Sequence, residues 1–154
     1  MLELKQGLFV ESTELLRETI FEQAVILIAE YNEKGALGFT INKSFGRTLN
    51  ELEEFKHSIA FPIYTGGPVD QEHLYFVHQR PDVIKEGVSI SNGIYLGGNF
   101  QQAVEAINNR IITTIDLKIF IGYCGWDTGE LEAEIEEGSW TVEEGMKEKV
   151  FMNW

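Results

Sequence analysis

"LKIFIGYCGWDTGELEAEIEEGSW", residues 117–140, is the stretch whose reading decides the fold. Its first part, Leu117–Trp126, is a nearly unbroken apolar run with the β-branched and aromatic content of a buried strand. The next part reads two ways. Residues 130–136 alternate, with Leu131, Ala133 and Ile135 on one side and glutamates on the other, as a strand does. Glu and Ala are nevertheless poor strand residues and good helix formers. Asp127 and Glu130 also have the spacing of a capping box with an acid as the cap. These propensities predict a short helix over 130–136. Gly122, Gly125 and Gly129 would then let the strand turn sharply into it. Trp126 and Trp140 would cover the core beneath, with the glutamates facing outward.

Working outward, "VILIAEY" (25–31) and "LGFTIN" (37–42) flank a loop containing Asn32 and Gly35, and read as a hairpin. "TLNELEEF" (48–55) predicts a short helix, with Thr48 as N-cap and Glu51 as its capping-box partner. "FPIYTGGPV" (61–69) and "LYFVH" (74–78) read as strands. Asn92-Gly93 inside "SISNGIYLGG" (89–98) is a strong hairpin signal. "NFQQAVEAINNR" (99–110) spaces Phe100, Ala103, Val104 and Ile107 as the stripe of an amphipathic helix. Strands dominate and short helices interrupt them. The class predicted is mixed α+β around a curved or barrel-like sheet, as one domain over 1–154.

The bulk numbers agree with a folded globule: 154 residues, 44% apolar and 12% aromatic. Twelve Lys and Arg against 25 Asp and Glu give a formal net charge of −13. Such a surface repels phosphate backbones and anionic membranes, so neither nucleic acid nor a membrane is the expected partner. Cys124 is the sole cysteine, which rules out an intrachain disulfide and a cysteine-cluster metal site. The first residues carry charges at Glu3 and Lys5 and lack an apolar run of leader length. The longest such run in the chain is Ala24–Ala29. A cytoplasmic location is therefore expected.

Four groups of residues are candidates for function. Gly66-Gly67 and Gly97-Gly98 each follow an apolar strand, in the similar stretches "IYTGGPVDQ" and "IYLGGNFQQ". They fit tight turns; neither belongs to a nucleotide-binding glycine pattern. His57, His73 and His78 are the possible bases near neutral pH, and no zinc-ligand spacing occurs. His78 closes an apolar strand, where a packed, hydrogen-bonded role is the default. Cys124 could pair with His78 and Asp127 as a nucleophile, but its place in a buried strand favours a small hydrophobe. Residues 127–148 hold nine acids and one lysine, a local net charge of −8. On a helix, Glu130/Glu134 and Glu132/Glu136 are like-charge i,i+4 pairs, each costing a few tenths of a kcal/mol. Solubility does not require that density; a basic protein partner would use it. No EF-hand spacing is present, and paired carboxylates could otherwise hold Mg²⁺ or Ca²⁺.

"YTGGPVDQEHLYFVH" followed by "GYCGWDTGELEAEIEEGSW" resembles the AlgH/YqgE family of small bacterial proteins, and "GLFVES" and "GALGFTINKS" agree. The likeness spans about residues 6–142. It implies a mixed, mostly antiparallel bifurcated sheet rolled into a pseudo-barrel with a few short flanking helices. Gly66, Gly67, Pro68, Val69 and His78 fall on its first motif, and Gly122 to Trp140 on its second. Cys124 departs from the family's usual Ala, and Glu130 from its usual Gln. The resemblance carries no established reaction, although one member's name reflects a proposed role in transcriptional regulation.

The leading expectation is a non-enzymatic binding or regulatory protein, with no cofactor, catalytic residue or metal ligand assigned. It would present the acidic face that includes Glu132 and Glu136 to a basic protein partner. The alternative is an enzyme or small-ligand binder with a pocket near Gly66–Pro68 (Gly66, Gly67, Pro68), His78 and Trp126; Gly125 is a further candidate motif residue. A transcriptional regulator stands third.

Overall fold

The computed structural model describes residues 3–154, with ten strands and two α-helices among them. In chain order these are β1 Phe9–Ser12, β2 Val25–Asn32, β3 Gly35–Thr40, β4 Ser44–Thr48, β5 Pro62–Thr65 and β6 Val69–His78. They continue with β7 Val88–Ser91, β8 Ile94–Leu96, α1 Phe100–Asn108, β9 Leu117–Asp127, α2 Glu130–Glu136 and β10 Trp140–Glu143. The mixed sheet runs β10-β1-β2-β3-β9-β6-β8-β7, antiparallel throughout this path, with β5 joining β9 in parallel and β4 pairing with β5. No helix among the described residues is long and apolar enough to cross a membrane.

The sheet branches along β9. One edge of β9 takes β6. The other edge is shared, with β5 at Ile119–Ile121 and β3 at Cys124–Asp127. The expected bifurcation is thus present. The roll stops short of a barrel, because among the described residues no ladder joins β7 to β10 or β1. In place of a ladder, the Gln6 side chain donates to the Ile90 carbonyl at 3.0 Å.

Gly122 is where the branching is encoded. Leu117, Ile119 and Ile121 point to one face of β9 and pack with Ile63, Phe76 and the α1 residues Ala103 and Ile107. Phe120 points to the opposite face, stacked on Phe39 at 4.8 Å. Strict alternation would keep even-numbered residues on that face. Instead Tyr123 joins it, while Cys124 and Trp126 turn outward to pack under α2 with Leu131 and Trp140. Gly122 has φ +73, a conformation that L side chains rarely adopt, and it shifts the pleat by one residue. Its neighbour strand is irregular at the same level, with residues 70–73 bulging out of β6 between Val69 and Leu74.

Two expected helical features change. Residues 48–55 form two 3₁₀ turns, Leu49–Glu51 and Glu53–Phe55, separated by Leu52 in an extended conformation. So short a segment is marginal as an α-helix, and the extended Leu52 still packs against the α1 cluster. Thr48 is the N-cap, as its spacing suggests, and Glu51 accepts its N–H at 2.9 Å. The helix at 130–136 forms, but its N-cap is Gly129 at φ +79 rather than Asp127. Half of the capping box survives, because the Glu130 carboxylate accepts the Asp127 N–H at 3.2 Å. Of the three glycines read as the corner, Gly129 alone is at the turn. Gly122 and Gly125 lie inside β9.

Candidate functional site

Helix α2 is held to the sheet by Leu131, buried against Trp126 and Trp140, whose rings meet edge to face at 6.0 Å. Its carboxylates divide into two groups. Glu134 turns inward: one carboxylate oxygen accepts the Trp126 indole N–H at 3.1 Å and the Trp140 indole N–H at 2.9 Å. The expectation that all these glutamates face outward is therefore corrected. Two buried tryptophans at the edge of the core require an acceptor for their indole N–H groups, and a glutamate one helical turn from Glu130 supplies it.

Glu130, Glu132, Glu136 and Glu137 are exposed. The Tyr31 hydroxyl donates to Glu132, and that bond is the main reason the Tyr31 pKa rises above its ordinary value. Among the described residues no lysine or arginine forms an ion pair with any α2 glutamate. Lys149 is engaged elsewhere, between Glu11 at 4.0 Å and Glu143 at 3.9 Å. Beside α2 lies an open groove of about 1100 Å³. Leu4, Ile135, Trp140 and Val142 line it, with carboxylates from Glu3, Glu132 and Glu136.

The glycine pair after β5 serves close packing. A Cβ on Gly66 would stand 2.3 Å from the Gly122 carbonyl oxygen, and one on Gly67 would stand 2.2 Å from the Tyr123 carbonyl carbon. Pro68 is exposed beyond them. The adjoining bulge carries a cluster that sequence reading missed. Asp70, at φ +53, contacts His73 at 2.7 Å and accepts the Tyr75 hydroxyl. The Tyr75 bond to Asp70 pushes the phenol up to about 12. His73 is raised by the same carboxylate. The Asp-x-x-His spacing in "VDQEH" was the available signal, and it is visible only once the bulge is known.

His78 is fully buried. Its Nε2 faces the Gly97 carbonyl at 3.0 Å and must donate, and its Nδ1 accepts the Arg80 N–H at 3.0 Å. That pattern fixes a neutral imidazole, and burial lowers its pKa further from the protonated form. It ties β6 to the second glycine pair, where Gly97 (φ +66) and Gly98 (φ +121) make the turn into α1. Cys124 is equally enclosed, and burial pushes its thiol up to about 11. Its sulfur faces the Gly66 carbonyl at 3.3 Å and the Thr40 hydroxyl at 3.6 Å, which is the environment of a packing residue.

The pocket imagined between His78 and Trp126 is not assembled. His78 pairs with Leu117 and Trp126 lies nine positions further along β9, roughly 30 Å at strand rise. Gly66 and Gly67 sit between them against Gly122 and Tyr123, and Gly125 is exposed opposite Leu37. Glu132 and Glu136, by contrast, are brought together with Trp140 around one groove.

Comparison with known proteins places the chain. A family model described as AlgH-like matches residues 8–153. A UPF0301 protein of Chlorobaculum tepidum is 36% identical over 148 residues, covering 96% of this chain and 79% of the relative. One from Cytophaga hutchinsonii is 33% identical over 150 residues, covering 97% and 82%. The solution structure of the AlgH protein from Pseudomonas aeruginosa superposes with a TM-score of 0.77 at 25% identity, over 98% of this chain and 85% of that one. The crystal structure of DIP2367 from Corynebacterium diphtheriae shares the fold at a TM-score of 0.73 and 22% identity, over 94% and 78%. The chain belongs to the AlgH-like family, whose members matched here are uncharacterised UPF0301 proteins.

Proposed function

We propose that this member of the AlgH-like family is a non-enzymatic binding protein that presents the acidic face of residues 127–148 to a basic protein partner. One observation carries the reading. The outward glutamates of α2 have no cationic partner among the described residues, while Glu134, the one that serves the fold, is turned inward. Exposed like charges on one helix are unfavourable to the isolated chain, and a basic surface would relieve them. The side chains that first suggest chemistry, His78 and Cys124, are occupied in packing and carry protonation states set by burial.

The test is affinity capture with the folded protein, followed by mass spectrometry. Basic proteins enriched on the wild type are lost on the Glu132→Lys, Glu136→Lys double variant, whose melting temperature stays near that of the wild type. Retention of the same proteins by the double variant contradicts the reading.

A further inference from the structure

The acidic groove runs along a sheet edge that no strand among the described residues covers. Among the described residues β10 ends the strand path and pairs with β1 alone. The Thr13 N–H donates to the Ser139 carbonyl at 3.0 Å, which makes Thr13 and Ser139 a hydrogen-bonded pair of that antiparallel ladder. Such pairs recur every second residue, so Glu11↔Thr141 and Phe9↔Glu143 are of the same kind. It follows that Trp140 and Val142 direct their backbone N–H and C=O groups away from β1, toward the open side. Among the described residues neither is used by a turn or a side chain; Trp140 is itself closed off at 2% exposure, so Val142 is the reachable one of the two.

A bare edge of this kind is a template for another strand, and proteins commonly guard such edges with charge. Here the guard has one sign. Glu3, Glu132 and Glu136 line the groove beside β10, with no lysine or arginine in its described lining, whereas Glu143 on β10 is paired with Lys149 outside it. A second copy of this chain would set these carboxylates against their own kind. A basic segment would not.

We infer that this edge binds an extended basic segment of another protein, which adds as a strand to β10. The inference rests on the acidic-face reading above and specifies how that face is used. Backbone bonds to Val142 would give register. Alternate side chains of the added strand would fall on the groove. Lysine or arginine at those positions suits both parts of it. The alkyl stems cover Ile135 and Val142, and the charged ends reach Glu132 and Glu136.

The experiment uses the full chain and three short synthetic peptides of one composition: alternating lysine and threonine, the same residues in two blocks, and the alternating peptide with N-methylated backbone amides. The alternating peptide should bind the wild type about tenfold or more tightly than the other two. Val142→Pro removes a donor on the open side while sparing the β1 ladder, and should bring its affinity down to that of the block peptide. Equal binding of all three peptides overturns strand addition but leaves the acidic-face reading standing, provided Glu132→Lys with Glu136→Lys abolishes it. No binding of any peptide overturns both. A dimer in sedimentation that Val142→Pro dissolves would show that the edge pairs with a second copy, which also overturns the proposal. Should Val142→Pro fail to fold, the N-methylated peptide decides the matter on the wild type.

Discussion

Strand β9 carries opposite charge regimes at its two ends. Near its start, Lys118 is buried at 4% exposure and pairs with no carboxylate among the described residues. Its ammonium donates to the carbonyls of Ile41 at 2.7 Å, Val150 at 2.9 Å and Met152 at 3.0 Å, and lies 3.9 Å above the Tyr64 ring. All three of its protons are used, and they tie the chain's last segment to the sheet. Beyond the other end, α2 has exposed carboxylates with no lysine or arginine paired to them among the described residues. A charge that organises the fold is held by named donors or acceptors of the core, as Lys118 and Glu134 are. A charge available to a partner is exposed and uncompensated, as Glu132 and Glu136 are. The contrast assigns roles to acidic and basic residues by environment rather than by type.

The hinge between the two regimes should be the most sensitive point. Gly67→Ala would drive a Cβ into the Tyr123 backbone, which cannot yield as a flexible side chain would. We expect a loss of about 3 kcal/mol or more in denaturant unfolding. A loss under about 1 kcal/mol would mean that the strands separate freely at the branch.

Lys118→Met should cost about 3 kcal/mol, because the buried Ile41 and Val150 carbonyls, and the Met152 carbonyl at the surface, lose their donor. Proteolysis should then start within residues 150–154. Burial pulls the Lys118 pKa down to about 7 from 10.5 in a solvated lysine. The unfolded chain therefore binds the extra proton between those values, and stability rises with pH across the window. The difference in melting temperature, wild type minus Lys118→Met, should grow from pH 7 to 10. A difference that shrinks would show that the three carbonyls and the Tyr64 face outweigh the loss of hydration.

At the acidic end, Glu134→Leu should cost about 2 kcal/mol by orphaning two indole donors. Glu134→Gln, which keeps an acceptor, should cost less than half of that. Glu132→Lys and Glu136→Lys together should shift stability by only about 0.5 kcal/mol in either direction. Equal penalties for the inward and outward glutamates would erase the distinction drawn here.

Much of this architecture is legible in the chain. The hairpins at 25–42 and 88–96, α1, the long buried strand and the helix at 130–136 follow from periodicity and turn chemistry. The two motifs also indicated the family. What was not legible depends on contacts between distant segments. Gly122 reads as part of a corner, yet its positive φ answers the β6 bulge, more than fifty positions earlier in sequence than β9's end. Glu134 is indistinguishable from Glu132 by sequence, since which carboxylate turns inward is fixed by where two tryptophans meet. The Asp70–His73–Tyr75 cluster is hidden because a regular strand would put Asp70 and His73 on opposite faces. The free edge of β10 becomes visible only when the strand order is known.

The most direct measurement is an NMR titration of isotope-labelled protein with a short basic peptide at low and moderate salt. The account predicts shift changes confined to residues 130–143, weakened by salt, with Lys118 and the Asp70 bulge unmoved. Changes centred on Asp70, His73 and Tyr75 instead, with α2 silent, would contradict it.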